Sequence, residues 1–384
     1  ATPDGRDLGD TLARQLAADG RPLGVAAALL AILAALPGLP AVPLGSVAIV
    51  LAGLGWWARR VAPPVSRAAA QAESTPLQPL GVVLHPDAAR ALETDPAQLI
   101  DATRRAFAAA TGATPPHVAV RIGGADLPPA GYRIEVAEAA VARGVLPPGH
   151  TLVSPAPAGA EAGHLGPDPR TGVVAWWAPG PAGHRPADVL HTHLHATWRA
   201  HPAAVLSVQA VADRLRALEA RQPALVRTAV PRRVDLARLT ALLRGLVAED
   251  VPVRDLEGVL EALAGLDPGV QALGDQLSAV RRALAARITA RVAPEGRLDV
   301  LFAAPAFENA LRRPPGLGAD AVADLVDGLR GHVGAHPRAV LMVASDVRGA
   351  VRALIAARLP SLAVISADEL LPDVQTHALA IVGD

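Results

Sequence analysis

Apolar residues run from Pro22 to Trp57 without a single charge, then break into short periodic stretches separated by Pro- and Gly-rich segments. The uncharged run is longer than the ~20 residues one membrane span needs. Pro37, Gly38, Pro40 and Pro43 interrupt its middle, where proline lacks an N–H and clashes with the preceding turn. The pattern predicts a transmembrane helical hairpin over 22–57. Arg14 and Arg21 precede it and Arg59, Arg60 and Arg67 follow it, which suits two cytosolic flanks. One kinked span is the competing reading. A signal peptide is disfavoured by the mixed acidic and basic residues in front.

Residues 58–78 are rich in Ala, Pro, Ser and Arg and have no apolar period, so they predict a flexible linker after a cytoplasmic segment at 1–21. From Pro79 a helix is predicted over 97–111, with Leu99, Ile100, Thr103 and Phe107 on one face and Gly112 as its stop, followed by strands in VAVRIGG and YRIEV. TLVSP and GVVAWWA, between Gly/Pro turns, predict a small β-rich insertion, after which Asp188 is expected to cap a helix running to His201. Four amphipathic helices are predicted between 205 and 292 from Leu/Val spacings such as Leu236, Leu239, Leu243, Leu246. Strands and helices then alternate from LDVLFAA to ALAIV, which predicts an α/β lobe with an at least partly parallel sheet. The expected fold class is α+β with several subdomains. Subdomain 1 comprises 79–146 and 187–204, inserted subdomain 2 is 147–186, an all-helical subdomain 3 is 205–292, and a C-terminal α/β subdomain 4 is 293–384.

Composition narrows the chemistry. The 384 residues exceed what one hydrophobic core organises. All 36 basic residues are arginine and there is no cysteine, which excludes a Walker or Schiff-base lysine, a thiol nucleophile, thiolate metal sites and disulfides. A formal charge of zero gives no electrostatic footprint for nucleic acid. The chain opens on Ala1 rather than methionine, and we read it as part of a longer protein.

His191, His193 and His195, with His201 nearby, invite a metal-site reading. On a helix His191 and His195 share a face, whereas His193 lies roughly 160° away, so a three-histidine site is excluded there. The remaining pair has no HExxH glutamate. A His-dependent metalloenzyme is therefore kept only as an alternative; no catalytic residue, metal ligand or cofactor is predicted. Asp235, Asp255 and Asp346 stand where carboxylates cap helices, Gly316-Leu317-Gly318 where a loop feeds one, and Asp168 sits in the turn GPDPRTG.

Several segments in order, YRIEVAEAAVARGVLPPGH, DVLHTHL, QPALVRTAVP, LLRGLVAEDVPVRDLEGVLEAL and VLMVASDVRGAVRALIAARLPSLAVISADEL, resemble the FHIPEP family, the large export-gate proteins of flagella and type III secretion injectisomes. The resemblance covers nearly the whole chain. It implies that the hairpin is the last pair of spans of a multi-pass protein of the bacterial inner membrane, with a cytoplasmic part of four subdomains, the second inserted in the first. It also implies a nine-membered ring that docks chaperone–cargo complexes, works with other export-apparatus membrane proteins and the cytoplasmic ATPase complex, and draws on the proton gradient. Flagellar members carry a docking dimple with a D-P-x-F turn and the Thr of a T-H-L helix. Asp168 and Thr192 match two of these positions, while Thr171 stands where the Phe would be. The lost apolar area weakens a hydrophobic anchor. This and a short segment between Trp177 and Asp188 favour an injectisome-type system. A diverged membrane-anchored scaffold is the remaining alternative.

Overall fold

The computed structural model describes residues 20–34, 41–61, 79–124, 126–154, 156–157, 165–168, 174–181, 183–313 and 318–383. The chain divides into two units, residues 1–76 and 77–384.

In the first unit, α1 (Gly20–Ala34) and α2 (Ala41–Val61) pack against each other. Small side chains lie inward, with Ala27 and Ala48 buried, while Ile32 and Ile49 are 64% and 74% exposed. These two helices overlap the stretch where the transmembrane hairpin is expected. Among the described residues no helix is long and apolar enough to cross a membrane. The 15 residues of α1 rise about 22 Å, short of a hydrocarbon core of about 30 Å, and α2 carries Arg59 and Arg60 in its last turn. The predicted linker lies almost wholly outside the described residues.

The second unit begins with β1 (Leu80–Leu84), α3 (Pro86–Ala91) and α4 (Pro96–Thr111). Helix α4 follows from its sequence. Asp95 accepts from the Ala97 N–H at 3.1 Å, Pro96 occupies the first turn, and Ile100, Thr103, Phe107 and Thr111 form the buried face. Gly112 ends it at φ 78°, and a Cβ there would lie 2.8 Å from the Arg254 backbone nitrogen, so both conformation and space require glycine. Strands β2 (Val118–Ile122), β3 (Gly131–Val136) and β4 (Ala139–Val145) complete a sheet of order β2-β1-β3-β4, in which only the β1–β2 pair is parallel. The β3–β4 hairpin turns on Ala137 and Glu138, both at positive φ.

Strands β5 (His150–Val153), β6 (Leu165–Pro167) and β7 (Val174–Pro179) form a separate antiparallel sheet of order β5-β7-β6. Helix α5 (Pro186–Ala200) follows. Asp188 was expected as its cap, but the cap residue is Arg185 and Asp188 lies in the first turn, where a carboxylate complements the helix dipole.

After a short α6 (Pro202–Val205), the stretch expected to hold four helices holds six: α7 (Val208–Glu219), α8 (Pro223–Ala229), α9 (Leu236–Ala248), α10 (Leu256–Ala264), α11 (Leu273–Ala283) and α12 (Ala285–Val292). Asp235 and Asp255 cap α9 and α10 as expected, accepting from the Arg238 and Gly258 N–H groups at 2.6 and 3.0 Å. Helix α9 ends with Asp250 at φ 60°, the Asp250 N–H bonded to Val247 O at 3.0 Å and the Val251 N–H to Leu246 O at 2.8 Å. This is a Schellman closure with aspartate where glycine is usual.

The last part runs β8 (Arg297–Ala303), α13 (Pro305–Arg312), α14 (Ala319–Ala335), β9 (Val340–Met342), α15 (Arg348–Ile355), β10 (Ala363–Ile365), a 3₁₀ turn (Ala367–Glu369) and β11 (Gln375–Val382). Its sheet, of order β10-β9-β8-β11, is parallel throughout. Leu298, Val300, Val340 and Ile365 face a core shared with the helices, while Leu301, Leu341 and Val364 face a second core with Leu325 and Val351, as a sheet covered on both sides requires. Gly318 stands at the cap of α14 without a side-chain bond. Asp346, expected to cap α15, instead accepts from Arg312 at 2.6 and 2.8 Å, and Val347 holds the cap position.

Candidate functional site

Of the positions singled out in the sequence, Asp168 lies at the small β-sheet and Thr192 in the first half of α5. Asp168, directly after β6, is fully buried. Thr192, on α5, is half-buried, and its hydroxyl donates to Asp188 O at 2.8 Å, so it is held by its own helix. Thr171 lies outside the described residues.

Beside them opens a cleft of about 730 Å³, bounded by Leu92, Glu93 and Leu99 on one side, by His150, Thr151, Gly180 and His184 on another, and by Arg185 to Asp188 at the N-terminus of α5. Neither Asp168 nor Thr192 lines it. The strand-side wall is shaped by the backbone. Leu152 and His184 exchange N–H···O bonds of 2.8 and 2.9 Å, and Thr151 Oγ1 donates to Gly180 O at 2.7 Å while accepting from the Gly183 N–H at 3.0 Å. A Cβ on Gly183 would meet Leu152 O at 2.5 Å, so the returning chain can close on β5 only without a side chain there.

The histidines sit on the other faces of α5. His191 Nδ1 lies 2.9 Å from the Thr103 hydroxyl, and His193 Nδ1 lies 2.6 Å from the buried Tyr132 hydroxyl. The His195 ring meets Phe107 at 4.7 Å, and Phe107 meets Trp198 edge-on at 5.6 Å. His191 and His195 do share a face, with ring centroids 6.1 Å apart, and His193 points to a different partner. Among the described residues no group of three or more His, Cys, Asp or Glu could hold a metal ion. Burial pulls His193 down to about 4; burial, then the charges of Arg199, His191 and Arg291, pull His195 down to about 4. Both rings are thus neutral at pH 7. Burial also pushes the Tyr132 phenol above its ordinary range, which keeps the hydroxyl protonated.

Sequence reasoning missed the cleft itself. Its walls come from three elements distant in sequence, and the only local signals were the Gly and Pro residues around 180.

Together these features define a multi-subdomain α+β protein with a cleft where a small sheet meets the first helix-and-sheet layer. The family model described as the FHIPEP family matches residues 1–375, and the chain belongs to that family. It is 28% identical to the flagellar biosynthesis protein FlhA of Salmonella typhimurium over 98% of this chain and 60% of that protein, and so spans about 60% of that relative's length. The MxiA structure from Shigella flexneri matches at a TM-score of 0.65 and 21% identity, over 79% of this chain and 98% of that one. The nonameric EscV cytosolic domain from the type III secretion system matches at a TM-score of 0.62 and 19% identity, over 81% of this chain and 98% of that one. Both structural likenesses establish the fold.

Proposed function

We propose that this chain is the gate component of a type III protein-export system of the bacterial inner membrane, anchored by the hairpin at 22–57, with the second unit receiving chaperone–cargo complexes in the cytoplasm. The observation that carries the reading is a family match running unbroken from the apolar hairpin into the lobed unit. Large apolar side chains exposed on α1 and α2, Ile32, Val42 and Ile49 among them, need a non-aqueous environment or a protein cover. Anchoring then rests on the helix pair as a whole, seated with its flanks among other export-apparatus membrane proteins. The nonameric state of EscV supports a nine-membered ring for this chain, with the ATPase complex on its cytoplasmic side.

The docking surface in this reading is the cleft beside α5 together with the adjoining side of that helix at Thr192, with Asp168 and Thr171 as the other candidate positions. The four-part division of the second unit, with 147–186 inserted, supplies its walls. Thr171 in place of an apolar anchor favours injectisome-type over flagellar chaperones.

Capture of purified export chaperone–cargo complexes by the full chain tests this. The wild type is expected to retain them, Thr192→Ala to weaken capture several-fold, and Glu93→Arg, an exposed residue on the cleft wall, to change it with the charge of the partner. Capture unaffected by either change would sink the docking surface. No capture by the wild type would favour the scaffold reading.

A further inference from the structure

A second site lies where α5, α9, α11, α12 and α15 meet the edge of the parallel sheet. Two of its ion pairs close on themselves. Arg281 donates to both oxygens of Glu369 at 2.7 and 2.6 Å and lies 3.0 Å from Glu249, while Arg348 pairs with Glu249 and lies 3.1 Å from Glu369. Arg281, Arg348 and Glu369 are all nearly inaccessible to solvent. That square is balanced, two charges against two.

The neighbouring group is not balanced. Arg199 and Arg291 share the single carboxylate of Asp250, the former at 3.3 Å. Arg352 donates only to the backbone oxygens of Leu362 and Pro360, at 2.9 and 3.2 Å. Arg199 Nε and Asp250 Oδ1 are buried with no hydrogen-bond partner. Five guanidinium groups therefore face three carboxylates, an excess of two positive charges, with Arg199 and Arg352 partly buried and Arg291 at the exposed rim. A buried charge without compensation is costly. The cost is visible in the arginines: burial lowers the pKa of Arg199, burial and then Arg199's charge lower that of Arg291, and burial with the nearby Arg199, Arg281 and Arg348 lowers that of Arg352 despite Glu249.

These three arginines line one cavity of about 60 Å³, whose wall also carries Arg281 and the acidic residues Glu249 and Asp250, so that cations outnumber carboxylates around it by four to two. A water needs roughly 10–15 Å³ on this measure, so the space suits a small polyatomic ion and is too small for a nucleoside. A groove of about 430 Å³ adjoins it, sharing Arg199, Glu249, Arg352 and Pro360. Guanidinium forks match the oxygens of such an ion.

We propose that the cavity between Arg199, Arg291 and Arg352 binds a small oxyanion of the phosphate type, which completes the charge balance where the helical layer joins the C-terminal sheet. The unpaired Arg199 Nε offers one donor, and the forks of Arg291 and Arg352 offer the rest. Occupancy ties α5, α12 and α15 together through one ion and stiffens the junction of the lobes.

Titration of inorganic phosphate into the full chain, followed by ³¹P linewidth and calorimetry at constant ionic strength with chloride as the balancing ion, tests this. One saturable site is expected, with Arg352→Gln weakening it at least tenfold and phosphate raising the thermal midpoint of the wild type but not of that variant. If Arg352→Gln fails to unfold cooperatively, the more exposed Arg291→Gln decides by the same criterion. Absence of a saturable site, leaving water alone in the cavity, overturns the proposal, as does unchanged affinity in the variant read. Adenosine monophosphate serves as the other arm: tighter binding than phosphate at the same site would overturn the assignment to a free ion.

Discussion

Helix α5 takes part in two junctions that meet the cost of desolvation in opposite ways. Along its middle, His193 and His195 face Tyr132 and Phe107 and give up their charge. At its C-terminal end Arg199 cannot do so, and joins a cluster in which charge is retained and must be matched. An imidazole is near enough to its switching point for burial to neutralise it, whereas a guanidinium must find an anion. One interface should therefore respond to acid and the other to the loss of a partner.

The largest effect of any single substitution is expected from Glu369→Ala. It strips Arg281 of its two-pronged partner and Arg348 of a contact in a closed interior, and should cost about 4 kcal/mol in urea unfolding. The paired change Arg281→Met with Glu369→Leu should recover much of that, because the uncompensated charge leaves with its partner. A loss under about 1 kcal/mol for Glu369→Ala would mean that the network behaves like a surface pair.

Acid should act on the other junction. The unfolded chain protonates its histidines near 6.5, while folded His193 and His195 resist down to about 4. Between those values the unfolded state binds more protons, so stability is complete above pH 6.5 and declines as pH falls toward 4, by up to about 3 kcal/mol for each ring. Urea midpoints across this window measure it. His193→Gln and His195→Gln together should flatten the slope, and an unchanged slope would place the acid response elsewhere.

The smallest effect is expected from Tyr132→Phe, which removes the hydroxyl 2.6 Å from His193 and should cost about 1 kcal/mol, with the His193 ring nitrogen shift in NMR as the local readout. Gly144 shows how closely the phenol is held, since a Cβ there would meet its oxygen at 2.6 Å.

Much of this architecture was legible in the residues, and the failures have causes. Helix α4 could be read because Asp95-Pro96, the spacing of Ile100, Thr103 and Phe107, and Gly112 all agree. Strand β4 could not, because its turn places Ala137 and Glu138 at φ 48° and 66°, where Asn-Gly would have announced a hairpin. The period of Val280, Leu284 and Ile288 runs straight through the break between α11 and α12, which is made by the backbone of Leu284 at φ −91°, ψ 14°. Apolar spacing does not register such a bend. Asp168 read as an ordinary turn residue, yet it is fully buried, and turn composition says nothing about what covers a turn. The ion network was the least visible feature, since an Arg or Glu on an amphipathic helix reads as its solvated face. Only the packing of α9, α11 and α15 shows that Glu249, Arg281 and Arg348 point inward.

Asp250 combines two demands that are usually met by different residues. The helix end wants a side chain that tolerates a left-handed backbone, and the arginines behind it want a negative charge. Glycine and asparagine meet the first demand and fail the second; glutamate does the reverse. In a saturation library this position should therefore admit a single letter, although neither its helix nor its charge alone would mark it as irreplaceable.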